Sequence, residues 1–392
     1  VTGFMTGKLI IQRILILLMI VPILQCGSLP FFSRGSSDTR MLLQENKKLS
    51  GEVAILNQRI ARLEKEMTFL SKKSFSLLLT GDILLANGAN DAMKKQGTDY
   101  PFHQIASFME EYDLVFANLE TPITTNHDPA GNKPYVFRLN PLFAASLTDI
   151  KLDIVSIANN HIMDHGTEGM LDTILCLSDM GIKYTGAGRN LDEARRPAIF
   201  HFGSMDLCIL AYCERPPEDF YAGPEKPGTA PLVLEQVKED IKQYKDGNTI
   251  VLVSLHWGIE LTNYPRAYQR NLAWKIIDAG ADGIIGHHPH WPQGIEMYKK
   301  KPVIYSLGNF VNGFYNKEEN EKDNIFVSLR YDRERLVKIE VIPVAGKNQT
   351  IHFQPRILEG PEAVTHLKAI QIQSRGLGTR VYIYRDRGFI KP

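Results

Sequence analysis

Six apolar, β-rich runs in this chain end in the same few polar residue types, and that recurrence constrains its fold more than any other feature. "FSLLLTGD" ends at Asp82, "YDLVFANLE" at Asn118 and Glu120, and "LDIVSIANNHIMDHG" carries Asn159, Asn160, His161 and Asp164. "NTIVLVSLHWGIE" carries His256 and Glu260, "ADGIIGHHPH" carries His287, His288 and His290, and "KPVIYSLGNF" ends at Asn309. Such runs, alternating with amphipathic stretches, predict a layered α/β fold with largely buried strands. In folds of that kind ligands bind at the carboxyl ends of strands, where loops from several strands converge. A single polar ending is a strand meeting solvent. Six endings drawn from Asp, Glu, Asn and His predict one shared site.

The donor types narrow the chemistry. Carboxylate oxygen and imidazole nitrogen without thiolate suit a borderline divalent ion, with Zn²⁺, Mn²⁺ and Fe²⁺ not distinguished. Within "HHPH", Pro289 is expected to hold His288 in an extended backbone. His288 and His290 would then project to one side and His287 to the other, which makes the first two the expected ligands. The opposing reading is of loop imidazoles satisfied by their neighbours. After the third ending, "GTEGMLDTILCLSDMG" predicts a helix with Thr167 near its start and Gly181 past its end. Pro265 opens and Gly280 closes a second helix. The third ending therefore lies near a helix amino terminus, where a phosphate or carboxylate is favoured.

Composition excludes one class of partner. Lys plus Arg number 45 and Asp plus Glu 44, with no basic stripe, so nothing points to nucleic acid. At 392 residues and 44% apolar, the chain is long enough for one large core or two domains. Its four cysteines have no metal-type spacing. Cys208 and Cys213, five apart on one strand, face opposite ways and are not expected to pair. With Cys176 they are expected to be buried thiols.

The amino end follows different rules. Lys8 and Arg13 precede "ILILLMIVPIL", an apolar run too short to span a bilayer comfortably, and "QCGS" follows. Residues 1–27 thus predict an export signal or membrane anchor, with Cys26 the lipidation candidate of a cleaved lipoprotein. Gln25 replaces the small residue usual before such a cysteine, and an uncleaved anchor is the alternative. Residues 28–38 are a Gly/Ser-rich linker. Over 39–73, Leu42, Leu49, Leu56, Leu63 and Leu70 recur every seventh residue, with Asn46, Val53, Ile60 and Met67 in the alternate seam. That heptad predicts a parallel two-stranded coiled coil, a stalk that makes a homodimer, with Arg59 and Glu64 attracting across the pair. The alternative is one amphipathic helix docked on the body, residues 74–392.

The stretches "GDILL", "ANLETPIT", "ANNHIMDHGTEGMLDT", "HWGIE", "GHHPH" and "YSLGNF", in this order, resemble the CapA-type family of poly-γ-glutamate capsule synthesis proteins. The family is in turn similar to calcineurin-like metallophosphatases. The resemblance implies a four-layer α-β-β-α sandwich carrying one or two divalent ions per chain at the strand ends. It implies metal or substrate contacts at Asp82, Glu120, Asn160, His161, His256, His288 and His290. Asn118, Asn159, Glu260, His287 and Asn309 would support them. His161, beside Asp164, is the expected proton donor. Two departures stand out. Leu84 occupies the place of the histidine in the metallophosphatase Asp-x-His, and "NLE" replaces their Gly-Asp, leaving Glu120 to bridge two ions.

By the same resemblance the protein is expected in the bacterial cell envelope, outside the membrane and attached to it. Its expected partners are an anionic polymer or phosphoester substrate and subunits of a polymer synthase. Two functions follow: capsule polymer synthesis or export, or independent hydrolysis of an envelope phosphoester. The chain has no GxxxxGK[ST] loop, so powering amide ligation with ATP is not expected of it.

Overall fold

Alternation along the first strand, Ser74–Ile83, decides how the layers stack. Its Leu77 and Leu79 join a core that also holds Phe116 from the same sheet and Ile209, Leu252 and Ile285 from a second one. Leu78, pointing the other way, joins an outer core with Val115 and with Met93, Met170 and Leu177 from helices. The second sheet repeats the pattern: Leu210 and Val253 turn outward against the helical residues Val237, Ile241 and Ile276. Helix, sheet, sheet and helix follow in the order expected. The computed structural model describes residues 37–131, 133–314 and 321–392; the export or anchor segment, Cys26 and most of the linker lie outside them.

The first sheet has the order Val381–Tyr384, Arg387–Ile390, Arg335–Ala345, Asn324–Asp332, Ser74–Ile83, Leu114–Leu119, Ile154–Ser156, Lys183–Thr185. Its last four strands are parallel, and their register puts Asp82 opposite Asn118 and Asn118 opposite Ser156. The second sheet has the order Ile295–Tyr298, Lys301–Ile304, Gly283–His287, Thr249–His256, Met205–Cys213, Ala198–Phe202. Its four inner strands are parallel, and His256 lies opposite both Cys213 and His287. The polar endings thus collect at one end of each sheet.

"KPVIYSLGNF" is two pieces rather than one strand. Lys301–Ile304 belongs to the second sheet, and Asn309–Val311 pairs in parallel with the first strand. The chain crosses between sheets at Gly308, whose φ is +76°. The Gly308 carbonyl accepts the Asp82 N–H at 3.0 Å and lies so near Gly81 that a Cβ there would sit 2.1 Å from its oxygen. Only glycine can precede Asp82 at this crossing.

The helices Gly166–Asp179 and Ala267–Asp278 end near Gly181 and Gly280, both at positive φ as their stop signals predict. The carboxyl-terminal stretch is a helix followed by a strand pair: Gly360–Gly376 leads into the hairpin Val381–Tyr384 and Arg387–Ile390. Cys176, Cys208 and Cys213 are free thiols, and the last two sit in different clusters. Cys176 is half-buried rather than buried, because it lies on the flank of its helix.

The heptad segment forms one helix, Ser37–Phe69, so Leu70 falls in the turn beyond it. The chain divides into two units between Leu63 and Glu64. Leu49, Leu56 and Leu63 are about half exposed on the helix. Among the described residues no helix is long and apolar enough to cross a membrane.

Candidate metal centre

Asp82 ends the first strand fully buried, and its neighbours satisfy it. Its Oδ1 accepts from Asn118 Nδ2 at 2.9 Å and faces His287 Nδ1 at 3.0 Å. Its Oδ2 accepts the His288 N–H at 3.3 Å and lies 3.4 Å from His290 Nδ1. Burial alone would raise this carboxyl, but hydrogen bonds from His287 and His290 outweigh it and hold Asp82 well below the usual range.

Glu120 is the opposite case. It is equally buried, yet among the described residues neither carboxylate oxygen has a hydrogen-bond partner. Its Oε1 lies 3.5 Å from His256 Nε2 and 4.0 Å from His290 Nε2. Burial, then the charge of Asp82, pushes Glu120 well above the normal carboxyl range.

The histidines close the other side. His256 Nε2 lies 3.1 Å from His288 Nδ1 and 2.8 Å from Asn160 Oδ1. Burial drives His256 well down, and burial with the nearby His290 brings His288 down to about 3, so both rings are neutral and keep a lone pair for a metal. His290 differs: burial would lower it, but the charges of Glu120 and Asp82 raise it to about 10. A proton on His290 thus offsets the buried carboxylates, and a bound cation would take over that role.

Two groups of donor atoms lie within 4.8 Å of one another around Glu120: Glu120, His256 and His288, and Asp82, Glu120 and His290. A buried carboxylate without a partner, facing neutral imidazoles in an oxygen and nitrogen donor set, fits a divalent ion. Asn160 is drawn to this cluster through His256. Glu260 stands on an exposed loop with its carboxylate near His288 and His290.

His161 lies outside these donor groups. Its Nδ1 sits 2.8 Å from Asp164 Oδ2, and its ring centroid lies 4.1 Å from that of Phe137. Burial lowers its basicity, partly offset by Asp164. Asn159 builds the turn beneath it: its Oδ1 accepts the His161 and Ile162 N–H groups at 3.1 and 2.9 Å, and its Nδ2 donates to Asn118 Oδ1 at 3.1 Å. Asn309 Oδ1 holds His290 Nδ1 at 3.0 Å, while His287 turns to Asp82 and leaves its buried Nε2 without a partner among the described residues.

The extended backbone expected at His288 is not what brings the rings together. His288 and His290 have φ values of +94° and +58°, so "HHPH" is a tight turn to which strand alternation does not apply. Sequence reasoning also missed Lys133. Its Nζ donates to the Asn160 carbonyl at 2.5 Å, pairs with Asp164 Oδ1 and lies 3.5 Å from His161 Nδ1. It stands in an irregular stretch where no periodicity marks it. Asn324, whose Oδ1 accepts the Asn309 N–H at 3.0 Å, was equally silent. Leu84, in the expected histidine's place, packs with Ala86 and Phe137.

Residues 76–314 match the family described as bacterial capsule synthesis protein PGA_cap. The capsule biosynthesis protein CapA of Bacillus anthracis is 28% identical over 280 residues, covering 69% of this chain and 67% of that protein. The PGA biosynthesis protein CapA of Bacillus subtilis (strain 168) is 31% identical over 272 residues, covering 69% of this chain and 71% of that protein. Among solved structures, a novel phosphatase from Mycoplasma pneumoniae shares 16% identity at a TM-score of 0.43, covering 70% of this chain and 94% of that one. With more than half its length matched to one family, the chain belongs to the bacterial capsule synthesis proteins of the PGA_cap type.

Proposed function

We propose that this protein acts in the synthesis or export of poly-γ-glutamate or a related capsule polymer, from the outer side of a bacterial membrane and with a divalent metal centre. The role in capsule synthesis is supported by its relatives, which are a capsule biosynthesis protein and a PGA biosynthesis protein. The observation that carries the metal centre is Glu120, buried with both oxygens unpartnered beside His256 and His290. Leaving such a carboxylate bare costs on the order of several kcal/mol, which an ion would offset.

Asp82, Glu120, Asn160, His256, His288 and His290 would hold one or two ions of Mn, Fe or Zn. When bound, a divalent ion supplies Lewis-acid stabilisation to an anionic oxygen of a carboxylate or phosphoryl group. The chain's own residues do the rest. Asp164 fixes the His161 ring for proton transfer, and Lys133 braces Asp164 from the far oxygen.

The test is metal content per chain of full-length protein purified without chelator, together with polymer made by a deletion strain carrying each variant. We expect one or two equivalents, with metal and polymer both lost in His256→Ala. No metal after reconstitution, with polymer made normally by that variant, would refute the reading.

One observation favours a second reading. The His161–Asp164 pair is arranged as a proton donor, which suits a metal-dependent hydrolase of an envelope phosphoester acting alone. Turnover of phosphoesters by the purified chain, abolished in His161→Ala while polymer production stays normal, would select it.

We also propose attachment through the amino end, with Cys26 lipidated, and dimerisation through residues 39–73, whose Leu49, Leu56, Leu63 and Leu70 are half exposed. Synthase subunits are the expected membrane partners. Labelled fatty acid should enter the wild type and not Cys26→Ala. Sedimentation should give a dimer at micromolar concentration and a monomer for Leu56→Asp; a monomeric wild type would rule out the stalk dimer.

A further inference from the structure

The strand that ends at His256 continues into a loop, Trp257 to Thr262, which is held far more firmly than its exposure suggests. Gly258 N–H donates to Glu214 Oε2 at 2.9 Å and Leu261 N–H donates to the Pro289 carbonyl at 2.9 Å. Gln293 Nε2 donates to the Thr262 carbonyl at 2.9 Å, and the Thr262 hydroxyl donates to the Ile259 carbonyl at 2.7 Å. The Leu261 bond ties this loop directly to the "HHPH" turn. Leu261 has a φ of +55°, a conformation that a leucine keeps only when its surroundings impose it.

The side chain this framework presents is Glu260. Its carboxylate lies with ring nitrogens of His288 and His290 in a group whose donor atoms are all within 4.8 Å of one another. Among the described residues no lysine or arginine forms an ion pair with it. His288 and His290, both at positive φ, converge on the same point from the other loop.

We propose that Glu260 is a metal ligand, completing with His288 and His290 a solvent-facing site. The inference rests on the metal reading of the buried cluster and adds a second, open position to it. Glu120 and His256 would hold an ion from below, sealed from water. Glu260 would hold one at the mouth, where a substrate anion can reach it. An exposed ligand on a pinned loop also gives the outer ion a lower affinity than the inner one.

The experiment is a Zn²⁺ titration by calorimetry of the full chain, stripped of metal, for wild type, Glu260→Gln, Glu260→Asp and Glu120→Gln. Substituted Co²⁺ read by its visible absorption reports a change of ligand independently of activity. We expect Glu260→Gln to weaken one Zn²⁺ by about 10-fold or more, the scale of loss on perturbing a metal's supporting residues. It should shift the Co²⁺ spectrum, while Glu260→Asp, which keeps a carboxylate, recovers part of both. Zn²⁺ affinity and Co²⁺ spectrum unchanged in Glu260→Gln, with Glu120→Gln impaired, would overturn the Glu260 site and leave the inner centre standing. No binding by the wild type would overturn both.

Discussion

The two ends of the parallel strands use the same residue types in opposite ways. At the amino ends, Asp113, Asp153 and Asp282 each stand one residue before a strand and accept an N–H from the strand beside it. Asp113 Oδ2 takes Ser76 N–H at 2.8 Å, Asp153 Oδ2 takes Val115 N–H at 3.0 Å, and Asp282 Oδ2 takes Val251 N–H at 2.9 Å. Each is also paired with lysine: Lys72 for Asp113, Lys65 for Asp153, and both Lys245 and Lys301 for Asp282. At the carboxyl ends Asp82 and Glu120 face histidines instead, and Glu120 faces nothing that satisfies it. Carboxylates with a lysine and a backbone donor hold the sheet together. Carboxylates left short of partners, in a water-poor pocket, are where a fold sacrifices stability to hold something else.

Removing a carboxylate should therefore have opposite signs at the two ends. The largest effect is expected for Asp282→Ala, which strands the Val251 N–H and two ammonium groups that are themselves partly solvated. A loss of about 2–3 kcal/mol in urea unfolding is expected, with metal content unchanged. Equal stability of variant and wild type would break the comparison at the amino end.

Glu120→Gln should do the reverse. In chelator-treated protein it replaces a buried carboxyl group that has no hydrogen-bond partner among the described residues and that burial disfavours in its ionised form. Stability should therefore rise, by about 1 kcal/mol, while bound metal is lost. A fall comparable to that of Asp282→Ala would make Glu120 a structural residue and remove the contrast.

The smallest effect sharpens the picture by pH. Burial opposes ionisation of Asp113, but the Lys72 and Ser76 hydrogen bonds prevail and lower it. A carboxyl lowered in the folded state contributes stability that is full above its unfolded value of about 3.9 and is lost as pH falls through the folded value. Asp113→Asn should thus cost up to about 1 kcal/mol at pH 7, since Lys72 is partly exposed, and the gap from wild type should close as pH drops below about 4. A gap that persists in acid would mean packing, not charge, makes the amino-end pairs useful.

The sandwich was legible because its signals are local. Leu77, Leu78 and Leu79 divide between two cores through strand alternation alone, and the stops at Gly181 and Gly280 need no distant partner. The polar strand endings were legible for the same reason, since a strand in a parallel sheet brings its carboxyl end to a shared edge. Lys133 was not, because nothing near it in the chain shows that Asp164, 31 residues on, waits for its ammonium. Nor did the aspartates that open strands stand out, since a charge before an apolar run reads simply as a solvated turn.

What the sequence by itself determined is the set of residues available to the site and the layers that carry them. Both depend on spacings of one, two or seven residues, which act within a single element. Only the tertiary structure decided who meets whom. Asp82 and His287 are 205 residues apart and touch because two sheets stack and the chain crosses between them at Gly308. Asp82 is satisfied and Glu120 is not, although each ends a neighbouring strand, because that stacking puts His287 and the His288 N–H on one carboxylate and beyond reach of the other. No local spacing carries that information, since it arises only when the register of each sheet and the distance between them are set together.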